Sequence, residues 1–543
     1  MKKKLFALFF LFTFILILAG CGSVTKANNK TTVTTKHNNT TVTTSQKNNT
    51  QRELSALELE LKEANPNNEV IYQIFVRSFA DSNGDGIGDI NGITDKLDYL
   101  NDLGVGTLWL MPIFKSSTYH GYNIDDYYIV NPDYGTNDDL KNLCAKAKEK
   151  GIRVILDIAF NHSGDNHPWF KSALAGGEYK DYYSVLPDGY KKTGSYWKTR
   201  GNLTYYAFFS DQMPDLNLFN PKVVEEIYNI SDYWMDLGCS GYRLDAVLYY
   251  FYSGEHPDKT YNVTEQNIEF LKGLSEHLKS KYPDVLLLAE AWSSSADYSK
   301  YYQAVTPLDF GLSDKLLEAV SLNKLYGYVD TILSLKELYE EYDEDFLWAP
   351  FLRNHDQDRL GSLFVSENKL TFAAELLLTL PGAPIIYYGE EIGMQGKKTQ
   401  GPDIWDETRR LPFVWGDKDC QTTWFVTNDY NSNLPSALTQ MKDENSLYNT
   451  YKTLIELRKY NIALKYGNNI EKWEKSNARV QGYYRTFTYK GLTQKLLIIH
   501  NIDNVLQYID LIEGNIIYES GLTVLEENMM LDAKSTVIID VTE

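Results

Sequence analysis

LKNLCAKAKEKGIRVILDIAFNH, residues 140–162, passes from one periodicity to another within a few residues. Leu140, Leu143, Cys144 and Ala147 recur at helical spacing, and Gly151 closes the helix. Ile152 to Ile158 is then an apolar run of strand length, and polar Asp157, Asn161 and His162 gather where it ends. Helix, glycine, buried strand and polar strand end make one unit of an alternating α/β fold.

Working outward, similar runs recur: VIYQIFV (70–76), VGTLWLM (105–111), SGYRLDA (240–246), VLLLAE (285–290), PLDFGL (307–312), FLWAPFL (346–352) and APIIYYG (383–389). With IRVILDI that makes eight, most of them separated by helical stretches, and the expected architecture is a (β/α)₈ TIM barrel. The barrel is assigned to 65–160 and 218–463. The stretch 161–217, rich in Tyr, Trp and Gly, is too long for a loop and is expected to be a small domain inserted after the third strand. Beyond SLYNTYKTLIELRKYNIAL the runs RTFTYKG, KLLIIHNI and STVIIDV alternate at period two. Residues 464–543 are therefore expected to form a C-terminal all-β sandwich.

The N-terminus carries different information. Lys2, Lys3 and Lys4 precede the apolar stretch Leu5 to Leu18, too short for a comfortable span and ordered like an export signal. It ends in Leu18-Ala19-Gly20-Cys21, which resembles the bacterial lipobox. The expectation is a signal peptide over 1–20, lipidation of Cys21 and an extracytoplasmic protein anchored to a membrane. Residues 21–64, with TTVTT at 31–35 and again at 40–44, are expected to be a disordered Thr/Asn-rich tether. Cys144, Cys239 and Cys420 are too few and too scattered for a disulfide framework and read as buried thiols.

A net charge of −20, with no dense basic run past the extreme N-terminus, excludes nucleic acid as the natural partner. With 14% aromatic residues the chain is well supplied with flat rings, which stack against sugars as readily as they fill cores. There is neither a G-x-S-x-G elbow nor a phosphate-cradling glycine loop with Lys.

A barrel enzyme places its chemistry at the strand ends. In order these offer Asp157 and His162 from DIAFNH, Arg243 and Asp245 from GYRLDA, Glu290 from LLAEAW, and His355 and Asp356 from FLRNHD. In that order, with GVGTLWLMPI, HGYNIDDYY, MPDLN and GEEIGM in the flanks, they resemble the α-amylase family of retaining glycoside hydrolases, over roughly 65–543. The resemblance implies Asp245 as nucleophile, Glu290 as acid/base and Asp356 as the third carboxylate. It implies sugar contacts from His120, Tyr122, Asp157, His162, Arg243 and His355. The chemistry asks for an ionised Asp245, which Arg243 two residues earlier on the same strand can support. It also asks for a protonated Glu290, whose apolar run and following Trp292 favour the neutral form.

The loop DSNGDGIGD, 81–89, alternates oxygen donors as a calcium loop does: Asp81, Asn83, Asp85 and Asp89 by side chains and Ile87 by its carbonyl. Several members of the family hold Ca²⁺ in a similar loop, so a structural ion is expected here. Two departures bear on specificity. Many α-amylases continue the nucleophile motif as Asp-Ala-x-Lys-His, where this chain has Asp245-Ala246-Val247-Leu248-Tyr249. MPDLN, 213–217, shares features with both the oligo-1,6-glucosidase and neopullulanase branches. The expected activity is that of a monomeric α-amylase cutting internal α-1,4 bonds of starch and maltooligosaccharides. The alternatives are a 4-α-glucanotransferase or neopullulanase-like enzyme, and a non-catalytic glucan-binding protein, against which the intact carboxylates speak.

Overall fold

The computed structural model describes residues 55–187, 190, 196–251, 262–321, 327–399, 406–427 and 429–542, together with strands Val33–His37 and Thr40–Thr44. Cys21 and the signal segment lie outside the described residues. Among the described residues no helix is long and apolar enough to cross a membrane.

Seven strands form one parallel sheet: β1 (Ile71–Ile74), β2 (Thr107–Leu110), β3 (Arg153–Ile158), β4 (Gly241–Leu244), β5 (Leu286–Ala289), β6 (Thr306–Pro307) and β7 (Ile385–Tyr387). They lie in the order β6-β5-β4-β3-β2-β1-β7. The segment 346–352 closes the ring without a continuous ladder. Its Ala349 carbonyl accepts from Asp309 N on the β6 side, and Phe351 bridges Ile385 of β7 in parallel. Pro350 has no N–H to donate, which limits pairing in this position. The expected run PLDFGL starts in strand β6 at Pro307 but its second half is helix: Asp309 Oδ1 accepts from Leu312 N, and helix Phe310–Ser321 follows at once.

Period-two alternation sorts the strand residues into two cores. Ile71, Trp109, Ile155, Leu286, Leu288, Phe351 and Ile385 pack with one another inside the barrel. Their strand neighbours Tyr72, Leu108, Leu156, Tyr242, Leu287 and Ile386 join the larger core against the helices. Helix Asn137–Glu149 buries Leu140, Leu143, Cys144 and Ala147, the stripe read from the sequence, and Thr136 and Asp139 close its N-terminus as a capping box. Cys144, Cys239 and Cys420 are free and buried.

The stretch after β3 contains helix Pro168–Leu174 and the hairpin Trp197–Arg200/Leu203–Tyr206, with a small core of Leu186, Trp197 and Tyr206. Within it the Asp215 carboxylate accepts from Phe208 N, and an antiparallel bridge between His162 and Asp215 ties its end to the residues just after β3. The C-terminal strands form an antiparallel sheet and a three-stranded sheet. Trp473, Val480, Leu497, Ile499, Met529 and Leu531 fill the space between them.

The segment expected to be a disordered tether includes regular structure. Ser55 and Glu58 form a capping box for helix Ala56–Ala64, whose Leu61 packs on Ile462 and Tyr466. Val33–His37 pairs with Thr40–Thr44, and the latter runs parallel to Gly514–Glu519. β-Branched Thr and Val make up most of both segments, and these residue types favour strands despite the scarcity of large apolar groups.

Candidate active site

Parity decides which side chains enter the barrel. Gln73 follows lumen-facing Ile71 by two positions, Asp157 follows Ile155, and Glu290 follows Leu288, so all three point the same way. Arg243 alternates with outward Tyr242 and Leu244, and it pairs in register with Asp157 on β3. Asp245 sits one pleat further along β4.

Arg243, with no exposed surface, is the hub. Its Nη1 donates to Asp157 Oδ1 at 2.8 Å and to Asp245 Oδ1 at 2.8 Å. Its Nη2 stands 3.0 Å from Glu290 Oε2, an ion-pair contact without hydrogen-bond geometry. The face of Trp109 lies 5.3 Å from the guanidinium carbon. One buried cation thus gathers three carboxyl groups from three consecutive strands. Ala246, in the left-handed region at φ 53°, turns its N–H toward Glu290 Oε2 at 3.1 Å. A non-glycine residue held there costs on the order of 1–3 kcal/mol, which the surrounding fold must supply.

Across the ring, Asp356 is gripped from two sides. Arg410 Nη2 donates to its Oδ1 at 3.1 Å, and His355 Nε2 lies 2.9 Å from its Oδ2. Gln73 Nε2 donates to His355 Nδ1 at 2.7 Å, which leaves the proton of the neutral ring on Nε2, facing Asp356 and the Tyr122 hydroxyl. That hydroxyl donates to Asp157 Oδ2 at 3.0 Å, and Trp109 Nε1 donates to the same oxygen at 3.1 Å. Tyr122 stacks between two imidazoles, His355 at 5.8 Å and His120 at 5.9 Å. His162 Nε2 donates to the Tyr122 carbonyl at 3.2 Å.

The electrostatics separate the carboxyl groups. Burial pushes Glu290 up to about 7, against the pull of Arg243 and with help from Asp245 and Asp356. Burial also raises Asp245, to about 6, again opposed by Arg243. Burial would raise Asp356 as well, but His355 and Arg410 prevail and hold it well below the usual carboxylate range. Asp157 goes up to about 6 by burial despite Arg243. Burial lowers His120 to about 3 and His162 to about 4, so both imidazoles are neutral donors or acceptors at ordinary pH. Of two neighbouring carboxyl groups on one guanidinium, Glu290 is the one that keeps its proton longer.

All the residues expected from the strand ends therefore converge, but three contributors escape a reading of strand ends. Gln73 and Trp109 lie inside strands, where the signal was a polar group at a lumen position. Arg410 lies in the excursion after β7, where no spacing marks it. Trp292 departs from its expected place: it is 50% exposed and stacks on Phe310 at 4.8 Å, so the shielding of Glu290 comes from the barrel mouth itself.

The loop 81–89 lies apart from this cluster and is closed by its own backbone. Asp81 accepts from the N–H groups of Asn83, Gly84 and Gly86, and Asp85 accepts from that of Ile87. Asp89 accepts from Ser82 and caps the following helix through Gly92 N. Gly84 and Gly86 take positive φ, and a side chain at Gly86 would strike Thr423 Oγ1 at 2.5 Å. Among the described residues no three His, Cys, Asp or Glu side chains form a group arranged to hold a metal ion.

Comparisons with known proteins agree with this geometry. The family model "Alpha amylase, catalytic domain" matches residues 73–467. The chain is 39% identical to alpha-amylase 3 of Dictyoglomus thermophilum over 87% of its own length and 93% of that protein. It is 33% identical to a 4-alpha-glucanotransferase of Thermotoga maritima, over 65% of this chain and 78% of that one. The crystal structure of an alpha-amylase from H. orenii superposes with a TM-score of 0.76 at 35% identity, covering 87% of this chain and 99% of the other. A parallel barrel with three carboxyl groups on a buried arginine, matched by that family model over most of the chain, belongs to the alpha-amylase family of glycoside hydrolases.

Proposed function

We propose that the protein is an endo-acting α-amylase that cleaves α-1,4 bonds of starch and maltooligosaccharides with retention, by double displacement. The observation that carries this reading is the sharing of Arg243 by Asp245 and Glu290, which holds two carboxyl groups side by side at adjacent strand ends. Retention needs such a pair about 5–5.5 Å apart. In the first step an Asp245 oxygen bonds to the anomeric carbon as the glycosidic C–O bond breaks. Glu290 gives its proton to the departing oxygen and becomes a carboxylate facing Arg243. In the second step water attacks the same carbon, its proton passes to Glu290, and the Asp245 ester bond breaks. Asp356, kept ionised by His355 and Arg410, is placed to hold sugar hydroxyls; Tyr122, His120, His162 and His355 complete the wall around that ring. The test is the anomeric form and length of products from maltoheptaose. Initial α-anomers shorter than the substrate support the reading, and β-anomers would end it.

The 4-α-glucanotransferase reading stands second, favoured by the likeness to the Thermotoga maritima protein. It predicts products longer than maltoheptaose.

Two further features belong to the same reading. Ca²⁺ would be held by Asp81, Asn83, Asp85, Asp89 and the Ile87 carbonyl, and would pin the loop without joining the chemistry. The support is a set of hard oxygen donors at alternate positions around two glycine turns. Removing it with a chelator should lower the melting temperature by about 3 °C or more, reversibly with added Ca²⁺; an unmoved transition would refute the site. The lipidated Cys21 would keep the enzyme on the outer face of a membrane, where large glucans are met. Cys21→Ala should move the activity from the membrane fraction to the soluble one, and an unchanged distribution would count against the anchor.

A further inference from the structure

Two of the three cysteines, far apart in the sequence, meet in the fold. Cys144 lies on the buried stripe of helix Asn137–Glu149, and Cys239 lies in the turn between helix Pro221–Leu237 and β4. They are 6% and 5% exposed, both thiols are free in the structure, and they hydrogen-bond to each other. Gly238 permits the approach. It ends its helix at φ 122°, and a Cβ on it would stand 3.1 Å from the Cys144 Cβ and 3.9 Å from its Sγ. The turn is also fixed: Cys239 N donates to the Trp234 carbonyl, and Ser240 N donates to that of Val154 on β3. Cys420 lies apart, with its thiol 3.7 Å from the Asp417 carbonyl oxygen.

Building on the exported, membrane-anchored reading above, we infer that Cys144 and Cys239 are the two halves of a disulfide that the chain forms outside the cytoplasm. Disulfides persist in such compartments and are rare where glutathione and thioredoxin keep thiols reduced. Two S–H bonds break and one Sγ–Sγ bond forms, while two electrons and two protons convert the oxidant, a glutathione or protein disulfide, into two thiols. The exchange belongs to folding, before helix Asn137–Glu149 covers the turn. In the finished fold the hydrogen bond to Cys144, and then burial, hold the Cys239 thiol well above its ordinary pKa, and a protonated thiol does not attack.

The bond would close a ring of chain that contains β3, the inserted domain and helix Pro221–Leu237. Asp157, His162 and Asp215 lie within that ring, and Arg243 and Asp245 follow Cys239 on β4. The cysteines themselves sit toward the end of the barrel where β3 and β4 begin, away from the catalytic carboxyl groups. Joining residues so distant in sequence restricts the unfolded chain, so the effect falls on stability and leaves the chemistry alone.

The experiment uses the full-length protein prepared from the membrane fraction without reductant, unfolded in urea with iodoacetamide and digested. Peptide mass mapping should show the Cys144 and Cys239 peptides joined and Cys420 alkylated. Refolding from urea with dithiothreitol should separate the two peptides and lower the melting temperature by about 2–4 °C, with kcat on maltoheptaose unchanged. In Cys144→Ala/Cys239→Ala dithiothreitol should have no such effect, and in Cys420→Ala the effect should persist. Alkylation of both Cys144 and Cys239 in the membrane-derived protein, or a melting temperature that dithiothreitol leaves unmoved, would overturn the disulfide. Absence of the protein from the membrane fraction would instead overturn the anchor. The disulfide is then decided on protein refolded with reduced and oxidised glutathione, where separate Cys144 and Cys239 peptides would overturn it.

Discussion

Asp245→Asn is expected to lower kcat by at least about 10³-fold on starch and on maltosyl fluoride alike, because no leaving group can replace a missing nucleophile. Glu290→Gln is expected to lose as much on starch yet keep most of its initial burst of fluoride release, since fluoride departs without a proton, while the glycosyl–enzyme accumulates for want of a base in the second step. The difference between the two substrates distinguishes the roles, and equal losses in both variants on both substrates would contradict them. The wild type should show a bell-shaped pH dependence on starch. Activity falls below about 6 as Asp245 takes up a proton, and falls above about 7 as Glu290 loses the one it must donate. With maltosyl fluoride, whose leaving group needs no proton, the alkaline limb of glycosyl–enzyme formation should fade in the wild type and in Glu290→Gln alike, while the acid limb remains. Both variants change a carboxyl group to the amide of the same shape and should melt close to the wild type.

Arg243→Ala should do more damage to the fold. The guanidinium has no exposed surface and contacts three carboxyl groups, so its removal leaves buried charges without their counter-charge. Breaking a buried pair in this way costs about 3–5 kcal/mol, here a fall of about 3–5 °C in melting temperature. The protein relieves part of the cost by protonating Asp157 and Asp245, which removes the nucleophile, so kcat should drop at least about 10²-fold at neutral pH. Arg243→Lys keeps a charge but not the fork that reaches two strands at once, and should recover stability before activity. A variant that lacks the guanidinium but melts and turns over like the wild type would show that Arg243 is not the hub.

The barrel was legible because its signal is local. Each apolar run is short, each is preceded or followed by a helical stripe, and polar groups mark the ends; β1 to β5 fall within the runs read for them. The two weakest places have local causes as well. In PLDFGL the carboxylate of Asp309 accepts from the amide three residues on and starts a helix at Phe310, so the strand is cut to Thr306–Pro307 and the second half of the run is helix. In FLWAPFL Pro350 removes a donor, and the segment closes the ring by scattered bonds instead of a ladder. The site was legible as far as it lies at strand ends. Gln73 and Trp109 are hidden inside apolar runs, and Arg410 reaches Asp356 across 54 residues of chain, a contact that no spacing rule anticipates. The share of Arg243 taken by Glu290 also required coordinates, because adjacency of β4 and β5 says nothing of how far a guanidinium can reach.

Ala246 has a bearing on how far this catalyst can be altered. Ala246 joins Asp245 to the turn that follows it, and it sits in a conformation its side chain resists. Glycine there would relax the tension but free the peptide to swing, and any larger residue would aggravate it. Substitutions meant to retune the site should therefore spare position 246 itself.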